Sequence, residues 1–103
     1  MITKEEEDKI VRAVLKEWHM HPVTCSITEN NYGYNQRYFN VHMILKLTSD
    51  EWTRELYEED IGKFFSISAE VFIDSDNEYY VGDTGRTSDN FTKEEWKERG
   101  KTW

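Results

Sequence analysis

The chain is poor in cysteine, proline, glycine and basic residues, and each scarcity removes a class of protein. A single thiol, Cys25, cannot close an internal disulfide, so the fold does not depend on an oxidising compartment. A single proline, Pro22, and five glycines in 103 residues leave neither a collagen-like nor a low-complexity linker composition. No run approaches the ~20 consecutive apolar residues that cross a bilayer. The opening Met1-Ile2-Thr3-Lys4-Glu5-Glu6-Glu7 lacks the basic start and apolar stretch of a signal peptide, which makes a cytoplasmic location the expectation. Bases are outnumbered, 13 Lys and Arg against 21 Asp and Glu, for a net charge of −8. Proteins that grip phosphate backbones or anionic membranes gain affinity from Lys and Arg, so direct contact with nucleic acid or a membrane surface is disfavoured.

Aromatics, by contrast, are abundant at 15% of residues, within a hydrophobic content of 37%. That apolar mass can offset chain entropy, and the length suits one core, so residues 1–103 are expected to form a single domain. Thr3-Lys4-Glu5-Glu6 has the form of a helix-opening capping box, and Ile10, Val11, Val14, Leu15 and Trp18 then line one helical face. Pro22 bars helix at His21, so that helix ends before it.

Beyond Pro22 the period changes to two. Val23, Cys25 and Ile27 alternate with polar residues, and Phe39, Val41, Met43, Leu45 and Leu47 do so over a longer stretch. These predict an antiparallel hairpin joined by a long loop over 29–36. Thr48-Ser49-Asp50-Glu51 predicts a second helix, carrying Trp52 and Leu56 and ending at Gly62. Phe65, Ile67, Ala69, Val71 and Ile73 predict a third strand, Ser75-Asp76-Asn77-Glu78 a turn, and 79–81 a short fourth strand. Thr92-Lys93-Glu94-Glu95 opens a last short helix containing Trp96, so 92–103 is helix and tail. The expected fold is α+β, in the order α-β-β-α-β-β-α, with a four-stranded, mostly antiparallel sheet packed against helices on one face.

The acidity is regional. Residues 48–62 and 69–89 each hold six acids against one base, so these two stretches more than account for the net charge. Both also contain Trp or Tyr, the side chains favoured at binding hot spots. The candidate partner-binding residues are therefore Asp50, Glu51, Trp52, Glu55, Glu58 and Glu59 from the first stretch and Asp74, Asp76, Glu78 and Tyr79 from the second. Carboxylates interleaved with aromatics suit a basic protein partner, one whose own Lys and Arg form a nucleic-acid groove. The function expected is a small acidic inhibitor occupying such a surface on a nucleic-acid enzyme, in the manner of phage anti-defence proteins and DNA mimics. An immunity protein against a basic nuclease toxin is the alternative, and an interaction domain whose acidity serves only solubility is the third reading.

Enzymatic and metal chemistry find little support. His19, His21 and Cys25, with His42 if the first two strands pair, are the nearest approach to a ligand cluster, but the paired spacing of zinc sites is missing. Asp74, Asp76 and Glu78 alternate like the start of a calcium loop, yet Tyr79 and Gly85 stand where such a loop needs glycine and glutamate. No glycine-rich phosphate loop and no nucleophile with an adjacent base is evident. No catalytic residue, metal or cofactor is expected.

Overall fold

The computed structural model describes residues 2–18, 21–32, 36–48 and 58–101. Helix α1 spans Lys4–Leu15, β1 His21–Tyr32 and β2 Gln36–Lys46. A 3-10 turn at Glu58–Asp60 follows, then β3 at Phe64–Ile73, β4 at Tyr79–Arg86 and α2 at Lys93–Glu98. The four strands form one antiparallel sheet in the order β1-β2-β3-β4, each joined to its neighbour in sequence. The α+β reading holds. The expected helix over 48–62 falls mostly outside the described residues, and its described end is the 3-10 turn.

Both helices start as their capping residues dictate. The Thr3 hydroxyl accepts from the Glu6 amide at 3.1 Å, and the Thr92 hydroxyl accepts from the Glu95 amide at 3.2 Å. Glu95 completes the second box by accepting from the Thr92 amide at 3.0 Å. These contacts, with the Thr92 amide first, hold the Glu95 carboxyl below its ordinary range.

Two strands run longer than expected. Glu29 to Tyr32 are strand, paired with Phe39 down to Gln36, so the polar composition of 29–36 does not make the whole stretch a loop. Ladder hydrogen bonds to β2 override local turn preference there. β4 continues past Gly82 to Arg86, because a bulge opposite Glu70 and Val71 absorbs one extra residue rather than ending the pairing. At the tip between β3 and β4, Asn77 takes a left-handed φ of 61°. The Asp74 carboxylate closes that turn by accepting from the Asp76 and Glu78 amides, each at 2.9 Å.

The main core lies between α1 and one face of the sheet. Ile10, Ala13 and Val14 of α1 meet Phe39, Val41, Met43, Leu45, Phe65, Ile67, Ala69 and Val71. Trp18 seals one side, its indole N–H donating to the Thr84 hydroxyl at 2.9 Å while its ring meets Phe65. Arg37 ties layers together by pairing with Glu29 of β1 and with Glu6 of α1, the latter at 2.9 Å.

The helices do not share one face, as the sequence had suggested. A second cluster of Ile44, Phe64, Phe91 and Trp96 places α2 on the opposite side. Ile44 lies between Met43 and Leu45 in β2, so its side chain has the other parity. A backbone bridge between Phe64 and Phe91, at 2.7 and 2.8 Å, brings the C-terminal segment around the end of the sheet to reach it.

Candidate functional site

The polar half of each strand's alternation, set aside when the core is assigned, builds the second face. Directly paired residues of antiparallel strands project to the same side, so the register writes that face as rows crossing the strands. The row nearest the β3–β4 turn is Asn30, Tyr38, Phe72 and Tyr80. Next come Thr28, Asn40, Glu70 and Asp83, then Ser26, His42, Ser68 and Gly85. A fourth row holds Thr24, Ile44 and Ser66, with the Thr87 hydroxyl 2.7 Å from that of Ser66. Helix α2 and Trp96 cover this end only.

The first row is a stack of rings. Tyr38 and Phe72 have centroids 5.6 Å apart at 20°, and Phe72 and Tyr80 5.6 Å apart at 23°. Both faces of Phe72 are thus occupied by neighbouring rings, while Tyr80 at the end remains 44% exposed. Gly82 makes this possible, because a Cβ there would lie 2.5 Å from Phe72 Cε2. The stack is a ridge across the sheet, with no broad free ring face at its centre.

Beside the ridge the floor drops to small side chains. A depression of about 350 Å³ opens over Asn40, His42, Ser68, Glu70, Asp83 and Gly85. A second, of about 280 Å³, continues from His42 over Thr24, Ser26, Ile44, Ser66 and Thr87 to Trp96 and Lys101. The two depressions share His42, with the carboxylates lining the first and Trp96 and Lys101 the second. Glu70 and Asp83 face each other directly across β3 and β4, a like-charge pairing that costs the sheet stability. Arg86, the single base of 69–89, lines the same depression, with its guanidinium over the Phe65 ring, 4.4 Å from the centroid, and bound to Asn90.

The predicted site residues are distributed differently from the single face drawn from the sequence. Asp50, Glu51, Trp52 and Glu55 lie outside the described residues. Glu58 and Glu59 are exposed in the 3-10 turn beside the start of β3. Asp74, Asp76 and Glu78 are exposed in the turn after its end. Ten strand residues separate the two groups, about 30 Å, so Glu58 and Glu59 do not join the turn acids in one patch. Tyr79 is half-buried against the core with the Lys9 ammonium 5.8 Å from its ring. Glu78 and Tyr79 share a shallow cleft with Lys9, Arg12 and Lys16 of α1, which sets bases beside that flank of the turn.

Asp60 serves the fold. It accepts from the Asn90 amide at 2.7 Å and pairs with Lys63 at 2.9 Å, and these contacts, Asn90 first, hold its carboxyl below the ordinary range.

The described members of the ligand set weighed from the sequence do not come together. Cys25 pairs with Met43 and His42 with Ser26, so Cys25 and His42 lie on opposite faces of the sheet. His19 and the His21 side chain are outside the described residues. Among the described residues no group of three His, Cys, Asp or Glu is placed to hold a metal ion. Cys25 is exposed on the edge strand β1, and its thiol is pushed up to about 11 by partial desolvation first and then by Glu7. No described helix is long and apolar enough to cross a membrane. No protein family, curated protein or solved structure matches the chain.

The sequence counts Glu70 and Asp83 among the acids of 69–89 and Tyr80 among the aromatics there without singling them out as site residues, and it gives no role to Tyr38, Asn40, Ser68 and Phe72. Their signal was the off-core parity of strands already recognised. The arrangement can accept cationic and hydrogen-bonding groups: two carboxylates, an amide, an imidazole and hydroxyls line two open depressions beside an aromatic ridge, with Arg86 at the first and Lys101 at the second.

Proposed function

We propose that this chain is a small acidic protein-binding inhibitor that occupies the basic, nucleic-acid-binding surface of a partner enzyme. The observation that supports the reading is the pair Glu70 and Asp83, directly opposed across β3 and β4 beside the aromatic row on the open sheet face. Acids border that row on both sides, with Asp74 and Asp76 beyond it at the turn. Aromatic side chains with flanking carboxylates give a partner's Arg and Lys both contact area and opposite charge. The Arg86 guanidinium lies over the Phe65 ring and binds Asn90.

The test is to titrate purified chain into a panel of nuclease and helicase reactions on duplex DNA at low and raised salt. Inhibition of a panel member that competes with DNA, weakens with salt and is lost in a Glu70→Lys/Asp83→Lys double variant is the expected result. An absence of inhibition across the panel, or inhibition indifferent to both salt and charge reversal, refutes the reading.

A further inference from the structure

The sheet has two edge strands, and they are protected differently. On β4 a bulge opposite Glu70 and Val71 interrupts the register, Asp83 adds a charge, and the Trp18 indole N–H donates to the Thr84 hydroxyl. Bulges and charges are devices that keep an edge from pairing with another chain. On β1 such devices stand only at the ends: Pro22 and the register shift before Thr24 at the start, and Glu29 towards the far end. Between them Thr24-Cys25-Ser26-Ile27-Thr28 carries no charge, proline or glycine and pairs with β2 in regular register. Cys25, Ser26 and Thr28 are exposed, and Val23 beside them is 40% exposed.

Hydrogen bonds fix which backbone groups of that stretch face outward. The Leu47 amide donates to the Lys63 carbonyl at 2.9 Å, so Leu47 and every second residue before it in β2 bond towards β3. Ile44, His42 and Asn40 have the other parity and bond towards β1, to their partners Thr24, Ser26 and Thr28. The Thr87 amide, donating to the Ser66 carbonyl at 2.9 Å, agrees: Ser66 is paired with Ile44 and bonds away from it. Cys25 and Ile27 are left with N–H and C=O groups directed out of the sheet edge, where no described strand pairs with them.

We propose that β1 is an interface between two copies of this chain, paired antiparallel about a two-fold axis at Ser26 so that their four-stranded sheets become continuous. Parity and charge set the register. Outward-bonding residues must meet outward-bonding residues, and Cys25 opposite Ile27 of the second copy satisfies this, each such pair exchanging two hydrogen bonds. Ser26 then faces Ser26 of the second copy, and Thr24 faces Thr28. The same segment is selected as the occupant because this pairing lays the five uncharged residues wholly against each other in a chain of net charge −8. Glu29, the nearest acid along the strand, faces Val23 of the second copy and is already paired with Arg37. The contact buries well below ~1,000 Å², so the dimer is a weak one, to be sought at high micromolar concentration. It is independent of the inhibitor reading, since an edge contact leaves the open face of each sheet uncovered.

Sedimentation of the full chain over a concentration series should show a reversible dimer. Ser26→Lys, which sets like charges opposite each other at the axis, should weaken association about fivefold. Disulfide trapping reads the register. In a Cys25→Ser/Ser26→Cys variant the two position-26 Cα atoms stand about 4.5 Å apart as a non-hydrogen-bonded pair, within the range a disulfide spans. In a Cys25→Ser/Thr28→Cys variant the two thiols lie four residues out of step, about 13 Å along the strand, and cannot be bridged. In a glutathione redox buffer the first variant should form a linked dimer at least about tenfold faster than the second.

A chain that stays monomeric throughout the series, equal trapping of the two variants, or a dimer indifferent to Ser26→Lys would each overturn the proposal. A monomer would leave the edge to an extended segment of a different protein. None of these outcomes decides enzyme inhibition, which is judged by its own assay.

Discussion

Replacing Gly82 with alanine tests whether the aromatic row is a built structure. The new Cβ would lie 2.5 Å from Phe72 Cε2 and 2.9 Å from Cδ2, where carbon atoms prefer ~3.5–4.0 Å, so the ring edge must retreat by about 1 Å. It cannot swing freely, because Tyr38 and Tyr80 stack on its two faces. Overpacking costs ~1–3 kcal/mol, while Gly→Ala at a compatible backbone angle returns ~0.4–1 kcal/mol by restricting the unfolded chain. The φ at Gly82 is not in the left-handed region, so that gain applies. The net expectation is a loss of ~1 kcal/mol, a fall in Tm of roughly 5 °C for a domain of this size.

Thermal and urea melts would measure that loss, and near-UV circular dichroism would report the disturbed ring stack. The same substitution in a Phe72→Leu background should cost nothing or stabilise, since the clash is then absent. Gly85→Ala is the control, with no atom within 4 Å of its Cβ, and should not destabilise. If Gly82→Ala is neutral, or costs the same with and without the Phe72 ring, the close approach does not constrain the fold and the argument fails.

Three further outcomes follow from the same geometry. Asp83→Asn should raise the melting temperature, because it removes a directly opposed like-charge pair, and the gain should shrink as salt screens the repulsion; a loss of stability would refute this. Cys25, although exposed, should react with iodoacetamide at about pH 7.5 roughly two orders of magnitude more slowly than free cysteine, and the rate should climb with pH towards the thiol's value of about 11; neutral-pH reactivity like that of free cysteine would contradict the raised thiol pKa. Asp60 has a folded pKa below its unfolded value, so its stabilisation is present above the unfolded value and lost as pH falls through the folded one. Asn90→Ala should therefore lose less stability than the unaltered chain between about pH 6 and about pH 3, and identical pH profiles by thermal melts would count against the Asn90 contact.

Much of the fold was legible in the sequence because its signals are local. Thr3 and Thr92 mark helix starts through contacts three residues away, and the period-two runs through Phe39 to Leu45 and Phe65 to Val71 fix which side chains enter the core. The extra length of β1 and β4 was not legible, because pairing with β2 and β3 supplied the hydrogen bonds that Asn30, Asn31 and Gly82 by themselves argue against. The position of α2 depended on a bridge between Phe64 and Phe91, residues 27 apart, which no local pattern encodes.

The candidate site divides in the same way. The sequence by itself determined that 69–89 is rich in acid and aromatic residues, and that Glu70, Phe72, Asn40 and His42 stand on the non-core parity of their strands. Only the tertiary structure decided which of them are neighbours. Parity is a property of one strand, whereas a row across four strands depends on strand order and register, and these are settled by packing of the opposite face. That packing aligns Glu70 with Asp83 and Phe72 with Tyr80, sets Arg86 over the Phe65 ring, and holds Glu58 and Glu59 at the far end of β3 from Asp74 and Asp76.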